Sequence, residues 1–102
     1  MELQITRFPE GDIQKLEVQG EIDVANADEL RTHISKALNL GPTQLIIDMA
    51  EVSYIDSTGI GVLVGGAHSA QDAGAVLRVE NPQPSVKRVF TLLGVDEKLH
   101  IQ

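Results

Sequence analysis

The sequence predicts an α/β domain in which a small mixed sheet of four or five strands is covered by about three to four helices. Strand-length apolar segments alternate with segments whose apolar residues recur at helical spacing, in the order β, β, α, β, α, β, α and a short last apolar stretch. Aromatic residues make up 3% of the chain and Trp is absent, so the core has to be built from Val, Ile, Leu and Ala. That filling is typical of helices packed on a sheet. The β-α-β alternation calls for right-handed crossovers, with the helices on one side.

Residues 3–8 and 13–18 read as two strands around Pro9-Glu10-Gly11-Asp12, a turn-forming cluster, and hence as a hairpin. Beyond Gly20-Glu21-Ile22-Asp23, Asn26 and Glu29 form a capping pair ahead of a helix carrying Ala27, Leu30, Ile34 and Leu38 on one face. Gly41-Pro42 stops that helix. Residues 44–49 hold Leu45, Ile46 and Ile47 without alternation, as in a central strand buried on both faces. Ile60, Leu63, Val64, Ala67 and Ala70 or Gln71 then repeat at helical spacing until Gly74, and residues 75–79 make a further strand. Pro84 suits the first turn of a third helix with Val86, Val89, Phe90 and Leu93 inward and Gly94 as its stop. Residues 99–101 supply a last short strand.

The totals fit one domain, residues 1–102, of ordinary soluble composition, 42% hydrophobic and 23% charged. A net charge of −7 argues against nucleic acid as partner, because that affinity comes mostly from Lys and Arg neutralising phosphates. Zero cysteines exclude disulfides, thiolate metal sites and a Cys nucleophile. No apolar run approaches the roughly 20 residues of a membrane span, and the opening MELQITRFPE lacks the pattern of a secretory signal. The expectation is a cytoplasmic protein without membrane, metal or cofactor.

The most informative segment is Tyr54-Ile55-Asp56-Ser57-Thr58-Gly59-Ile60-Gly61, where a strand hands over to a helix. First-turn N–H groups lack intrahelical partners and the helix dipole favours negative charge, so a phosphate on Ser57 or Thr58 would find donors there. Helix capping by Asp56, Ser57 or Thr58 is the plain alternative. Capping does not explain Gly61, Gly65 and Gly66, each costing about 1 kcal/mol relative to Ala inside a helix. Either another element packs very close, or a partner needs a flat surface beside the hydroxyls. Gly61 and Gly65 share one face.

Other chemistry is harder to find. A dinucleotide fingerprint would need glycine where Val64 stands, and no Gly-Lys-Ser or Gly-Lys-Thr marks a P-loop. The Asp-Ser-Thr-Gly run differs from the Asp-Thr-Gly of aspartic proteases by one residue and leads into a helix. His33, His68 and His100 lack metal-pair spacing, and nothing aims a base at Ser57. Glu21, Asp23, Asp28 and Glu29 are an acidic cluster, and Asp23 falls at the same end of the sheet as Asp56, where the two would make an acidic docking rim.

Gly20-Glu21-Ile22-Asp23, Ile55-Asp56-Ser57-Thr58-Gly59-Ile60-Gly61, Val86-Lys87-Arg88-Val89-Phe90 and Leu93-Gly94-Val95 together resemble the STAS domain family, in particular the bacterial anti-sigma factor antagonists. The resemblance runs through nearly the whole chain. It implies a non-enzymatic partner switch in transcription regulation and the stress response. The unphosphorylated antagonist binds an anti-sigma factor that is also a serine-protein kinase, and so releases a sigma factor. Phosphorylation of the hydroxyl after the motif aspartate, Ser57, dissociates the complex, and a serine phosphatase restores it. The implied partner-binding residues are Asp23, Asp56, Ser57, Thr58, Gly59 and Gly61, with Thr58 capping or touching the partner. The same fold also serves as a subunit of lipid-transport complexes or larger signalling assemblies, in which the hydroxyls would be contact residues only.

Overall fold

A computed structural model describes residues 3–101; residues 1, 2 and 102 of the expected domain lie outside the described residues. The chain runs β1 (Gln4–Glu10), β2 (Ile13–Ile22), α1 (Ala27–Leu38), β3 (Gln44–Ile55), α2 (Ser57–Asp72), β4 (Val76–Glu80) and α3 (Pro84–Leu92). The strands form one sheet in the order β1-β2-β3-β4. The first pair is antiparallel and the other two are parallel, as α1 and α2 crossovers require.

Alternation along the strands decides which way the sheet faces. Leu16 and Val18 of β2, Leu45 and Ile47 of β3, and Leu77 and Val79 of β4 point to one side and are buried. Leu30 and Ile34 of α1, Ile60 and Leu63 of α2, and Val86 and Phe90 of α3 join them in a single core. The opposite face carries Lys15 against Asp48 at 3.5 Å and Arg78 against Glu80 at 2.7 Å, half-exposed ion pairs that contribute little stability. The expectation that β3 is buried on both faces is therefore corrected: Ile46 and Asp48 lie half-buried on the polar side.

Pro9 belongs to β1 rather than to the turn, which shrinks to Gly11-Asp12; β1 is an edge strand, where a missing N–H costs nothing. β2 and β3 both outrun their expected ends because their last turns of sequence are paired, with Ile22 opposite Ile55. Register shifts beside Gly20, whose φ of 118° suits glycine alone, interrupt that pairing. They turn the end of β2 toward the start of α2.

Three further expectations change. Asn26 precedes α1 but makes no side-chain cap. Its Oδ1 instead accepts from the Asp23 N–H at 2.9 Å and its Nδ2 donates to the Glu21 carbonyl at 2.8 Å, so it braces the loop before the helix. Leu93 is 54% exposed, because α3 ends at Leu92 and the chain turns at Gly94. Leu99 enters the core from the following segment. Residues 99–101 do not form a fifth strand: their N–H groups donate within the turn to Val95, Asp96 and Glu97 carbonyls, leaving only the Leu99 carbonyl to accept from Val79 of β4.

Phe90 is fully buried and is the largest side chain in the core. Phe90→Ala should lower unfolding free energy by about 3–5 kcal/mol in urea titrations; a loss under about 1 kcal/mol would mean that α3 is not integral to the core.

Candidate functional site

The end of β3 and the start of α2 meet at one carboxylate. Asp56 is the N-cap of α2 with extended backbone, and its Oδ1 accepts from the Gly59 N–H at 2.9 Å. Its Oδ2 accepts from the Val24 N–H at 3.1 Å, 32 residues earlier in the loop between β2 and α1. A third tie runs from the Asp56 N–H to the Ile22 carbonyl at 3.1 Å. In that loop Asp23 Oδ1 accepts from Ala25 N–H at 2.9 Å. The two acidic residues picked from the sequence thus stand on adjoining loops at one end of the sheet, both half-exposed.

Ser57 and Thr58 occupy the first positions of α2 and are exposed. Among the described residues neither hydroxyl has a hydrogen-bond partner, and neither do their backbone N–H groups. Capping falls to Asp56, so Thr58 does not cap. No imidazole hydrogen-bonds to Ser57; His33 is engaged with the Glu29 carbonyl. Among the described residues no group of His, Cys, Asp and Glu could hold a metal, and no helix is long and apolar enough to cross a membrane. The turn offers an accessible hydroxyl, free donors and nearby negative charge.

The glycines divide by geometry. Gly59 is buried, and a Cβ there would come within 2.6 Å of Ile22 Cγ2 and 2.8 Å of Ile55 Cγ1. Glycine is therefore required there for close packing of α2 on the ends of β2 and β3. Gly66 is likewise confined by Ile34 and Leu77 at 3.1 Å. Gly61 and Gly65 are different: both are exposed, and a Cβ at either would meet nothing within 4 Å. They floor a shallow groove of about 230 Å³ between α1 and α2, edged by Arg31, Ser35 and Ser69.

Two features of this surface escaped the sequence reading. Val24 is 75% exposed on the loop that Asp56 holds, an apolar side chain beside the acidic residues. Arg31 and Ser35 reach the groove from α1; their spacing of four on the polar side of a helix was the available signal.

Asp56→Ala removes acceptors for both N–H groups and should cost about 2 kcal/mol or more by urea denaturation, beyond an ordinary cap loss. Gly59→Ala should destabilise by about 1–3 kcal/mol through overpacking, whereas Gly65→Ala should raise stability by up to about 1 kcal/mol. The same sign for the two glycine variants would contradict this division.

The comparisons with known proteins agree with the geometry. The STAS domain family model matches residues 9–102. The anti-sigma-B factor antagonist of Bacillus subtilis is 37% identical over 92 residues, spanning 90% of this chain and 83% of that protein. An anti-sigma factor antagonist from Mycobacterium paratuberculosis has the same fold, with a TM-score of 0.82 at 22% identity over 96% of this chain and 83% of that one. The Bacillus cell fate determinant SpoIIAA in its phosphorylated form superposes with a TM-score of 0.72 at 24% identity, over 94% of this chain and 86% of its own. The chain belongs to the STAS domain family and resembles its anti-sigma factor antagonists.

Proposed function

We propose that this protein is a cytoplasmic anti-sigma factor antagonist that, unphosphorylated, binds an anti-sigma factor with serine kinase activity and so releases a sigma factor. Phosphorylation of Ser57 by that kinase switches it off, and a serine phosphatase restores it. The chain itself acts by binding, not by catalysis. The observation that carries this reading is the exposed Ser57 hydroxyl, without a hydrogen-bond partner among the described residues, at the start of α2. Two free N–H groups, of Ser57 and Thr58, lie beside it, as does the carboxylate of Asp56. Support also comes from the relative named as an anti-sigma-B factor antagonist and from a fold match recorded in a phosphorylated form.

The open glycine face extends the same surface. Ser57, Gly61 and Gly65 recur every four residues, so the hydroxyl and the groove lie along one side of α2. In the free protein nothing there needs glycine for packing. A partner that approaches the helix backbone closely supplies the reason, with Val24 as an apolar contact and Asp23 and Asp56 as an acidic rim.

Incubation with the cognate kinase and ATP should modify the wild type and leave Ser57→Ala unmodified; transfer to the alanine variant would move the site to Thr58 or elsewhere. By calorimetry, Ser57→Glu should raise Kd for the kinase tenfold or more, with thermal stability near wild type. Gly61→Ala should also weaken binding by about tenfold, equivalent to about 1.4 kcal/mol, without loss of stability. A pulldown from the native cytosol that recovers a transport ATPase and permease in place of a kinase would select the alternative STAS role.

A further inference from the structure

A second cavity lies far from Ser57, between the last turns of α2, the outer edge of β4 and the segment after α3. It holds about 310 Å³, at the lower end of the roughly 300–1,000 Å³ of small-molecule sites. Its walls are apolar, with Val64 and Ala67 from α2 and Ala75 and Leu77 from the β4 side, while His68, Lys98 and His100 stand among them. Among the described residues no carboxylate lines it, although the chain has 15 Asp and Glu against 8 Lys and Arg. In so acidic a protein, a cavity whose polar side chains are Lys98, His68, His100 and the neutral amide of Gln71 is a local reversal of charge.

Among the described residues Lys98, His68 and His100 have no side-chain hydrogen bond or ion pair. A backbone donor adds to them. Val79 N–H points away from β3, since it donates to the Leu99 carbonyl at 2.9 Å. Strand alternation then turns the Leu77 N–H to the same outer edge, on the wall of this cavity. An apolar chamber with convergent donors and no acceptor charge suits a ligand that is apolar at one end and anionic at the other.

We propose that this cavity is a binding site for a short amphipathic organic anion. The hydrocarbon end packs against Val64, Ala67, Ala75 and Leu77, and the carboxylate or equivalent head is held by Lys98 with His68 and His100. The site is separate from the phosphorylation surface: His68 lies eleven residues beyond Ser57, about 16 Å along α2 at 1.5 Å per residue.

Octanoate, octan-1-ol and octylamine, titrated in turn into the full chain by calorimetry and by amide chemical shifts, test the site. Octanoate should bind saturably, at least tenfold tighter than either control, and shift amides of residues 64–71, 75–77 and 98–100. Lys98→Gln should weaken octanoate about tenfold, the worth of one charge-assisted hydrogen bond. Ala67→Leu, with circular dichroism confirming the fold, should abolish binding, and Ser57→Ala should bind octanoate as the wild type does. Equal affinity for the three probes, shifts mapping elsewhere, or no saturable binding at millimolar octanoate would each overturn the proposal.

Discussion

Two N–H groups from distant parts of the chain converge on the Asp56 carboxylate, one from Gly59 in its own turn and one from Val24 on the loop after β2. Each oxygen has one task. Through Oδ1 the residue starts α2, and through Oδ2 it fixes the neighbouring loop, whose other end is braced by Asn26. A shorter acceptor could do the first and a longer one could overshoot it. Because both tasks fall on one side chain, the position of Ser57, the direction of α2 and the exposure of Val24 are set together.

That convergence explains the tight fit beneath the turn. Gly59 has to pass within contact distance of Ile22 and Ile55, the paired ends of β2 and β3, for its N–H to reach Asp56. On the other side of the helix the constraint is absent, and Gly61, two residues on, and Gly65 face open space. The helix thus contains two kinds of glycine, one kind required by the fold and the other unexplained by it. Helix propensity alone would favour alanine at the open positions by about 1 kcal/mol each.

How much of this was legible in the sequence follows from the range of each interaction. Asp56 and Gly59 are only three residues apart, so their cap could be read from spacing, as could the inward face of α2 from Ile60 and Leu63. The hold of Asp56 on Val24 spans 32 residues and leaves no periodic trace. Asn26 followed by Glu29 has the composition of a capping pair, yet a stronger local competitor, the Glu21 carbonyl and Asp23 N–H, claims its side chain. Leu93 and residues 99–101 failed for a related reason: which apolar residue turns inward after a helix stop depends on where the returning chain docks, and here the Leu99 carbonyl docks on β4.

Charge placed at Ser57 would act differently on the fold and on a complex, and burial sets the difference. In the free protein the group is exposed, so its repulsion with Asp56 is weakened by water and by salt with a screening length of about 8–10 Å. At an effective dielectric of 20 to 80, unit charges about 4 Å apart repel by about 1–4 kcal/mol, and the two free N–H groups offset part of that. Native stability is about 5–15 kcal/mol, so the fold survives. Beneath a partner's surface the same charges lose both water and salt, their repulsion rises toward the upper figure, and the desolvation of the phosphate adds to it. A modification tolerated by the domain is therefore costly to the interface, which is the asymmetry the proposed switch needs.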